Sequence, residues 1–290
     1  MTTLLAVPNV SEGRAATVLQ AIGEAFAAGG ARVLDLHADP DHHRAVFTLA
    51  GAPGQLAPAV LAGAREALAH IDVSAHDGLH PRVGAVDVAP VVHLDADARG
   101  AACAEALVLG DLLGRELDLP VLMYGALAGG RTRTELRRGG ADALGDRLRA
   151  GELHPDFGPG ERHPTGGVAL VAARPPLVAF NLDLAPPASV DDARRIAARI
   201  REGGSEGLVG VRALGLALSE RGIAQVSTNV EDPRATPLAA VVEAVRAHAP
   251  VAAVELVGLA PAAAFDDFPD DVPIPGYDPA RHHIERALDA

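Results

Sequence analysis

Lysine is missing from this chain altogether, and its 25 basic residues are all arginine. That absence closes Schiff-base and lysine-nucleophile chemistry, together with the phosphate loops that end in lysine. Cysteine is almost as scarce. The single Cys103 can form no intrachain disulfide, which fits a reducing, cytoplasmic setting. Its context, GAACAEALVLG, reads as the apolar face of a helix, where a free thiol packs as a small hydrophobe. Basic charge is in short supply as well. A formal net charge of −13 argues against a nucleic-acid partner, because neutralising phosphates needs a basic surface. Any anionic ligand must therefore be met by local arginines. No apolar run reaches the length of a membrane span, so no membrane partner is expected. The opening MTTLLAVPNVSEGR has no basic segment ahead of its apolar residues and meets Pro8 at once, which argues against a signal peptide.

What is present is apolar material: 49% of 290 residues, enough for the core of one large domain or two small ones. Alternation and helical spacing predict a strand at 3–7, a turn-rich cluster at 8–13, a helix at 15–28 and a short strand at 32–36. A polar segment at 37–41, a strand at 44–50, a helix at 53–71 and a strand at 84–94 follow. That order is a split βαβ, ferredoxin-like arrangement. A helix at 98–117 and a buried strand at 121–124 come next, and then a long stretch, 125–164, in which periodicity weakens and glycine and arginine dominate. Such a stretch inside a compact domain is more often functional than idle. After a short strand at 168–172 and a linker at 173–176 the order repeats: strand 177–184, helix 190–201, hairpin 210–229, helix 238–247, strand 252–257 and a proline-rich, then helical, tail. The expected fold is therefore α+β. It has two ferredoxin-like subdomains, 1–175 and 176–290, with mixed or antiparallel sheets, helices packed on them and a ligand cleft between them.

The most informative stretch is AHDGLHPRVGAVDVAPVVHL, residues 75–94. His76 and His80 sit four apart in a segment punctuated by Gly78 and Pro81, and the segment runs into an apolar strand broken by Asp87. Polar loops fed by rigid strands commonly carry catalytic groups, which makes the His80 imidazole the first candidate for acid–base work.

Six stretches in order, VPNVSEGR, DHHRAVFTLAG, HDGLHPRVGAVDVAPV, DFGPGERHPTGGVALVAARPPLVAFNLDL, GIAQVSTNVEDPRATPL and ELVGLAPAAAF, resemble the glutamate formimidoyltransferase family. The resemblance implies two subdomains on mixed sheets, a homodimer, and small-molecule substrates: formiminoglutamate and tetrahydrofolate, the latter as co-substrate. It implies a proton-donating histidine at His80 and folate binding near Thr165, Gly166, Gly167 and Val168, with Arg174 a nearby anion partner. Asp35 and His37 fall in the catalytic group, His37 standing where the family's animal members carry a second aspartate. His43 stands before Arg44 where those members carry asparagine. The chain ends before any cyclodeaminase domain, so the expectation is a stand-alone transferase.

Formimino transfer resembles acyl transfer. The departing amine must be protonated, a task suited to a group that titrates near neutrality. A carboxylate on the other ring nitrogen would fix the imidazole tautomer, and Asp35 and Asp87 are the candidates. Carboxylate-bearing substrates call for arginine forks, and Arg44, Arg82, Arg131, Arg133 and Arg174 lie near the motifs. Asn9, Ser11 and Glu12 either bind the pterin or cap the first helix. Three rivals stand beside this reading. One is formyl transfer from 5-formyltetrahydrofolate to glutamate, and another a folate-binding relative without turnover. The third is metal chemistry at His37, Asp39, His42, His43, His76 and His80. None of these residues has the spacing of a known zinc motif, and no metal is expected.

Overall fold

The computed structural model describes residues 2–79, 81–218 and 221–290. The chain divides into two compact units, one ending at Pro175 and the other running from Pro176 to Ala290.

The first unit opens with β1 (Leu4–Ala6) and β2 (Asn9–Val10). Then come α1 (Ala16–Ala28), β3 (Arg32–Asp39), β4 (Arg44–Gly51), α2 (Leu56–His70) and β5 (Val86–His93). They are followed by α3 (Arg99–Leu117), β6 (Val121–Met123), α4 (Arg133–Arg137), α5 (Gly140–Arg149) and β7 (Ala169–Arg174). β1 and β2 both lie antiparallel between β4 and β5. With β3 outside β4 they complete the ferredoxin-like order. β7 and then β6 extend the sheet in parallel beyond β5, so the sheet is mixed.

The two faces of this sheet are covered differently. Alternation sends Ala45, Phe47 and Leu49 of β4 and Ala89 and Val91 of β5 into one large core with α1, α2 and α3. On the other face Val88, Leu122 and Leu170 meet Leu136, Leu144 and Leu148 of α4 and α5 in a smaller core. The buried Glu105 of α3 receives the backbone N–H groups of Gly54 at 2.5 Å and Ala57 at 2.6 Å. It thereby satisfies donors that the start of α2 would otherwise leave orphaned.

The second unit contains β8 (Val178–Leu184), α6 (Val190–Ile200), β9 (Val211–Leu218), β10 (Ile223–Val230), α7 (Leu238–Arg246) and β11 (Val251–Val257). Its four strands are wholly antiparallel in the order β11-β8-β10-β9. That is the order of the ferredoxin-like part of the first sheet. Two short helices, α8 (Pro279–His282) and α9 (Ile284–Asp289), close the unit. There Phe265 lies 4.7 Å from Tyr277 and 5.7 Å from His283, ring centre to ring centre.

Three local expectations are corrected. Residues 9–10 continue the first strand instead of forming a turn, because Pro8 contributes only its carbonyl, to Phe47 N, and pairing resumes on both sides at Asn9. β3 runs on to Asp39, carried by its ladder with β4 down to Asp39↔Arg44, so His37 lies on a strand. The weakly periodic stretch after β6 contains two helices, the first nucleated by a capping box between Thr132 and Glu135.

The packing of α1 on α2 yields a prediction. A Cβ at Gly63 would lie 2.2 Å from the buried Phe26 ring. Gly63→Ala should therefore destabilise the protein by about 1–3 kcal/mol through overpacking, despite the better helix propensity of alanine. Urea unfolding measures this, and a neutral or stabilised variant would show that Phe26 has room to swing away.

Candidate active site

Asp87 is where the site begins. Asn9 pairs with Val88 and Val10 with Val86, so Asp87 is the extra residue of a bulge in β5. The bulge turns its carboxylate to the face opposite α1 to α3. The residue is fully buried. Arg44 Nη1 donates to Oδ2 at 2.5 Å, Arg137 Nη2 donates to the same oxygen, and Val83 N donates to Oδ1 at 2.8 Å. Burial alone would raise the pKa of the carboxyl; Arg137 and Arg44 outweigh it and hold the pKa below the usual range. Burial in turn lowers the pKa of Arg137 to about 10, against the pull of Asp87, so the guanidinium stays charged at neutral pH. Two guanidiniums on one carboxylate leave a local excess of positive charge within an acidic protein.

Asn9 fixes the second edge of Arg44. Its Oδ1 accepts from Arg44 Nε at 3.0 Å and Nη2 at 2.6 Å, while its Nδ2 donates to Val7 O at 2.8 Å. Neighbouring residues complete the scaffold. Ser11 Oγ donates to Gly84 O at 2.8 Å, and Ser11 N donates to Ala85 O at 2.9 Å. Ala85 N then donates to Gly166 O at 2.8 Å, and Val168 N to Val83 O at 2.9 Å. This lays residues 165–168 along the segment that enters β5. The approach is close enough that a Cβ on Gly84 would lie 2.2 Å from Val168 O, and one on Gly167, with φ +72°, 2.2 Å from Val83 O. Both positions demand glycine.

The loop before β5 is clamped by histidines. The rings of His43 and His76 stack at 4.2 Å between centroids, tilted by 30°. His76 Nδ1 accepts from Gly78 N at 3.0 Å, and its Nε2 bonds His43 O at 3.1 Å, which sets the proton on Nε2. Burial, with Arg82 and His43 adding to it, lowers the pKa of His76 to about 4. His43, in the left-handed region at φ +47°, accepts from Gly13 N at 3.1 Å through Nδ1. Its pKa is lowered by burial, against the opposing pull of Glu12 at 3.5 Å. Glu12 Oε1 receives the N–H groups of Arg14 at 2.7 Å and Ala15 at 2.9 Å, so it leads the chain into α1. Arg82 donates to Gly78 O at 2.7 Å and to His76 O, tying the loop to itself.

Among the sequence-predicted residues, the structure brings together Asn9, Ser11, Glu12, His43, Arg44, Arg82, Thr165, Gly166, Gly167 and Val168. His80 lies outside the described residues. Asp35 and His37 pair with Thr48 and Val46 on β4, on the face that carries Arg44. Arg174 is not brought to the group: it pairs with Val92, at the far end of β5 from Asp87, and donates to Pro175 O at 2.9 Å. Arg131 is tied to Met123 O and, at 2.5 Å, to Asp156, and Arg133 lies over the Tyr124 ring at 5.7 Å. The residue that sequence reasoning missed is Arg137. Its signal was the unexplained carboxylate in an apolar strand, which required a cationic partner from elsewhere in the chain. Among the described residues no three His, Cys, Asp or Glu side chains are grouped as metal ligands.

Two predictions follow from this geometry. Asp87→Asn leaves two buried guanidiniums without their counter-charge and should lower the unfolding free energy by about 3–5 kcal/mol. Because the folded pKa of Asp87 is depressed, its contribution is complete above the unfolded value of about 3.9 and is lost as pH falls through the folded value. The acid limb of stability against pH should flatten in the variant. A loss under about 1 kcal/mol would mean that the arginines find other partners. For His76, whose folded pKa is depressed from 6.5 to about 4, loop closure is complete above the higher value and weakens as pH falls toward the lower. The protection factor of the Gly78 amide, its exchange rate relative to the intrinsic rate at each pH, should fall across that interval in the native protein and stay level in His76→Asn; equal profiles would rule out the clamp.

Comparison with known proteins places this arrangement. Residues 3–174 match the formiminotransferase domain, N-terminal subdomain, and residues 179–268 match the formiminotransferase domain. The glutamate formimidoyltransferase of Streptococcus pyogenes serotype M1 is 35% identical over 271 residues, covering 90% of each chain. That of Thermoplasma acidophilum is 33% identical over 280 residues, covering 92% of this chain and 91% of its own. The formimidoyltransferase-cyclodeaminase of Gallus gallus is 39% identical over 275 residues. The chain spans about half the length of the cyclodeaminase-bearing relatives it matches, 50% in the Gallus gallus case. Matches to both subdomain models, and to relatives aligned over nearly their whole length, mean that the chain belongs to the formiminotransferase family.

Proposed function

We propose that this chain is a folate-dependent glutamate formimidoyltransferase. It would move the formimino group of N-formimino-L-glutamate to N5 of tetrahydrofolate and release glutamate. The observation that carries the reading is the buried Arg44–Asp87–Arg137 cluster, set against the histidine loop and the 165–168 segment. Both substrates carry carboxylates, and the excess positive charge of this cluster supplies the field that draws them into an acidic protein.

In the proposed reaction a bond forms between N5 and the formimino carbon, and the bond from that carbon to the glutamate nitrogen breaks. The departing nitrogen takes a proton from His80, an imidazole being the side chain suited to general acid work at neutral pH, and the proton that N5 gives up as its new bond forms returns the imidazole to its acid form. Asp35 and His37, on the Arg44 face of β3, are assigned to the formimino end, where a carboxylate keeps the amidinium bound and electrophilic. Asn9, Ser11, Glu12, Arg82 and residues 165–168 shape the folate side. Several do so through backbone placement, since their side chains are committed within the scaffold. His43 is one of these: its Nδ1 is held by Gly13 N and its ring by His76, so it sets the loop and not the donor.

The reading is tested by following 5-formiminotetrahydrofolate formation with the native protein and with His80→Ala. The expected result is turnover that falls by roughly two to four powers of ten in the variant. Native protein that binds tetrahydrofolate and yields no product, with formiminoglutamate as donor, would overturn it. Product from 5-formyltetrahydrofolate and glutamate alone would reassign the chain to formyl transfer.

A further inference from the structure

One recess lies outside the site just described. It has a volume of about 460 Å³ and is lined by Gly129, Gly130, Arg131, Glu135, Arg138 and Arg147, with Ala128 at its margin. Its wall is bare where it could have carried side chains: Gly129 and Gly130 adopt φ +61° and +88°, and a Cβ on either would meet nothing within 4 Å. Three of its lining residues are arginines and only one is acidic. That one, Glu135, is already engaged, because its Oε2 accepts from Thr132 N at 2.7 Å and Thr132 Oγ1 at 2.9 Å.

The three arginines are in different states. Arg131 is bound to Met123 O and Asp156. Arg147 donates to Glu135 O at 3.2 Å and to Leu136 O, and keeps a buried Nε–H with no hydrogen-bond partner among the described residues. Arg138 is exposed, and its charge helps to lower the pKa of Glu135. It directly follows Arg137, so α4 sends one arginine to Asp87 and the next to the recess.

We propose that this recess binds a small multivalent anion, a molecule carrying two or more carboxylate or phosphate groups, with Arg138 as its principal ligand and Arg131 and Arg147 framing it. A guanidinium fork meets either group bidentately. The volume falls in the range of pockets that hold small organic molecules. Asp156 and Glu135 offset two of the three cations, which leaves the recess an excess of one positive charge. The proposal does not depend on the transferase reading. Its consequence is that an anion held at Arg138 steadies the short helix that delivers Arg137 to Asp87.

Calorimetric titration at low ionic strength with citrate, and separately with pyrophosphate, tests it on the native protein, Arg138→Gln and Arg138→Lys. Saturable binding that weakens at least tenfold in Arg138→Gln, with part of the affinity kept in Arg138→Lys, is the expected result. Citrate alone would identify a carboxylate ligand and pyrophosphate alone a phosphate ligand, and either supports the site. Because Arg138 is exposed, its variants should melt with the native protein, and the comparison is made on variants that do. Absence of saturable heat with both anions, or binding that Arg138→Gln leaves unchanged, overturns the proposal.

Discussion

The first unit is built around a charge that should not be where it is. Asp87 is fully buried, and an isolated carboxylate taken out of water costs several kcal/mol even after relaxation. Arg44 and Arg137 make its burial tenable, and in doing so they join three elements that are distant in the chain: β4, β5 and α4. Removing Asp87 strands two guanidiniums in a low-dielectric interior, and removing either arginine leaves the carboxylate with a single partner. The cluster is therefore a fastening whose parts depend on one another. Its surplus positive charge is what an acidic chain needs wherever it must meet carboxylates.

Around this fastening, residue types that suggest catalysis turn out to hold the loops. Burial lowers the pKa of both His43 and His76, and each accepts a backbone N–H. Glu12 leads into α1, and Arg82 gathers carbonyls of its own loop. Such groups position a site by using up their own hydrogen-bonding capacity, and a preorganised site is built from commitments of this kind. The chemistry then rests with side chains the scaffold leaves available.

How much of this could be read from the chain depended on whether the signal was local. Helices α1, α2, α3, α6 and α7 and the repeated strand order follow from periodicity, since burial on one face writes itself into the sequence every three or four residues. The strand at Asn9–Val10 was hidden, because a proline and two polar neighbours resemble a turn until β4 and β5 close on both sides. β3 reached beyond its apolar residues because its ladder with β4, not its composition, sets where it stops. α4 and α5 were obscured because arginine and glycine dominate the stretch, α4 buries Leu136 alone, and α5 adds only the pair Leu144 and Leu148. Arg137 escaped for a related reason. Its partner Asp87 is fifty residues away, and no local pattern links them. Arg174 shows that closeness in sequence is not closeness in space: it follows the 165–168 segment, yet a six-residue strand carries it to the far end of β5 from Asp87.

The bulge in β5 also limits how this sheet can change over evolutionary time. Side chains alternate between faces along a strand, so inserting one residue into it exchanges the two faces from that point on. Deleting the extra residue would leave β5 a regular strand that still pairs with β2, with the carboxylate gone and its two arginines facing an apolar wall. Adding a second would turn Ala89 and Val91 out of the larger core. The loops on either side can lengthen or shorten, but the count of residues between Val86 and Val88 acts as an index mark from which both faces of the sheet are numbered.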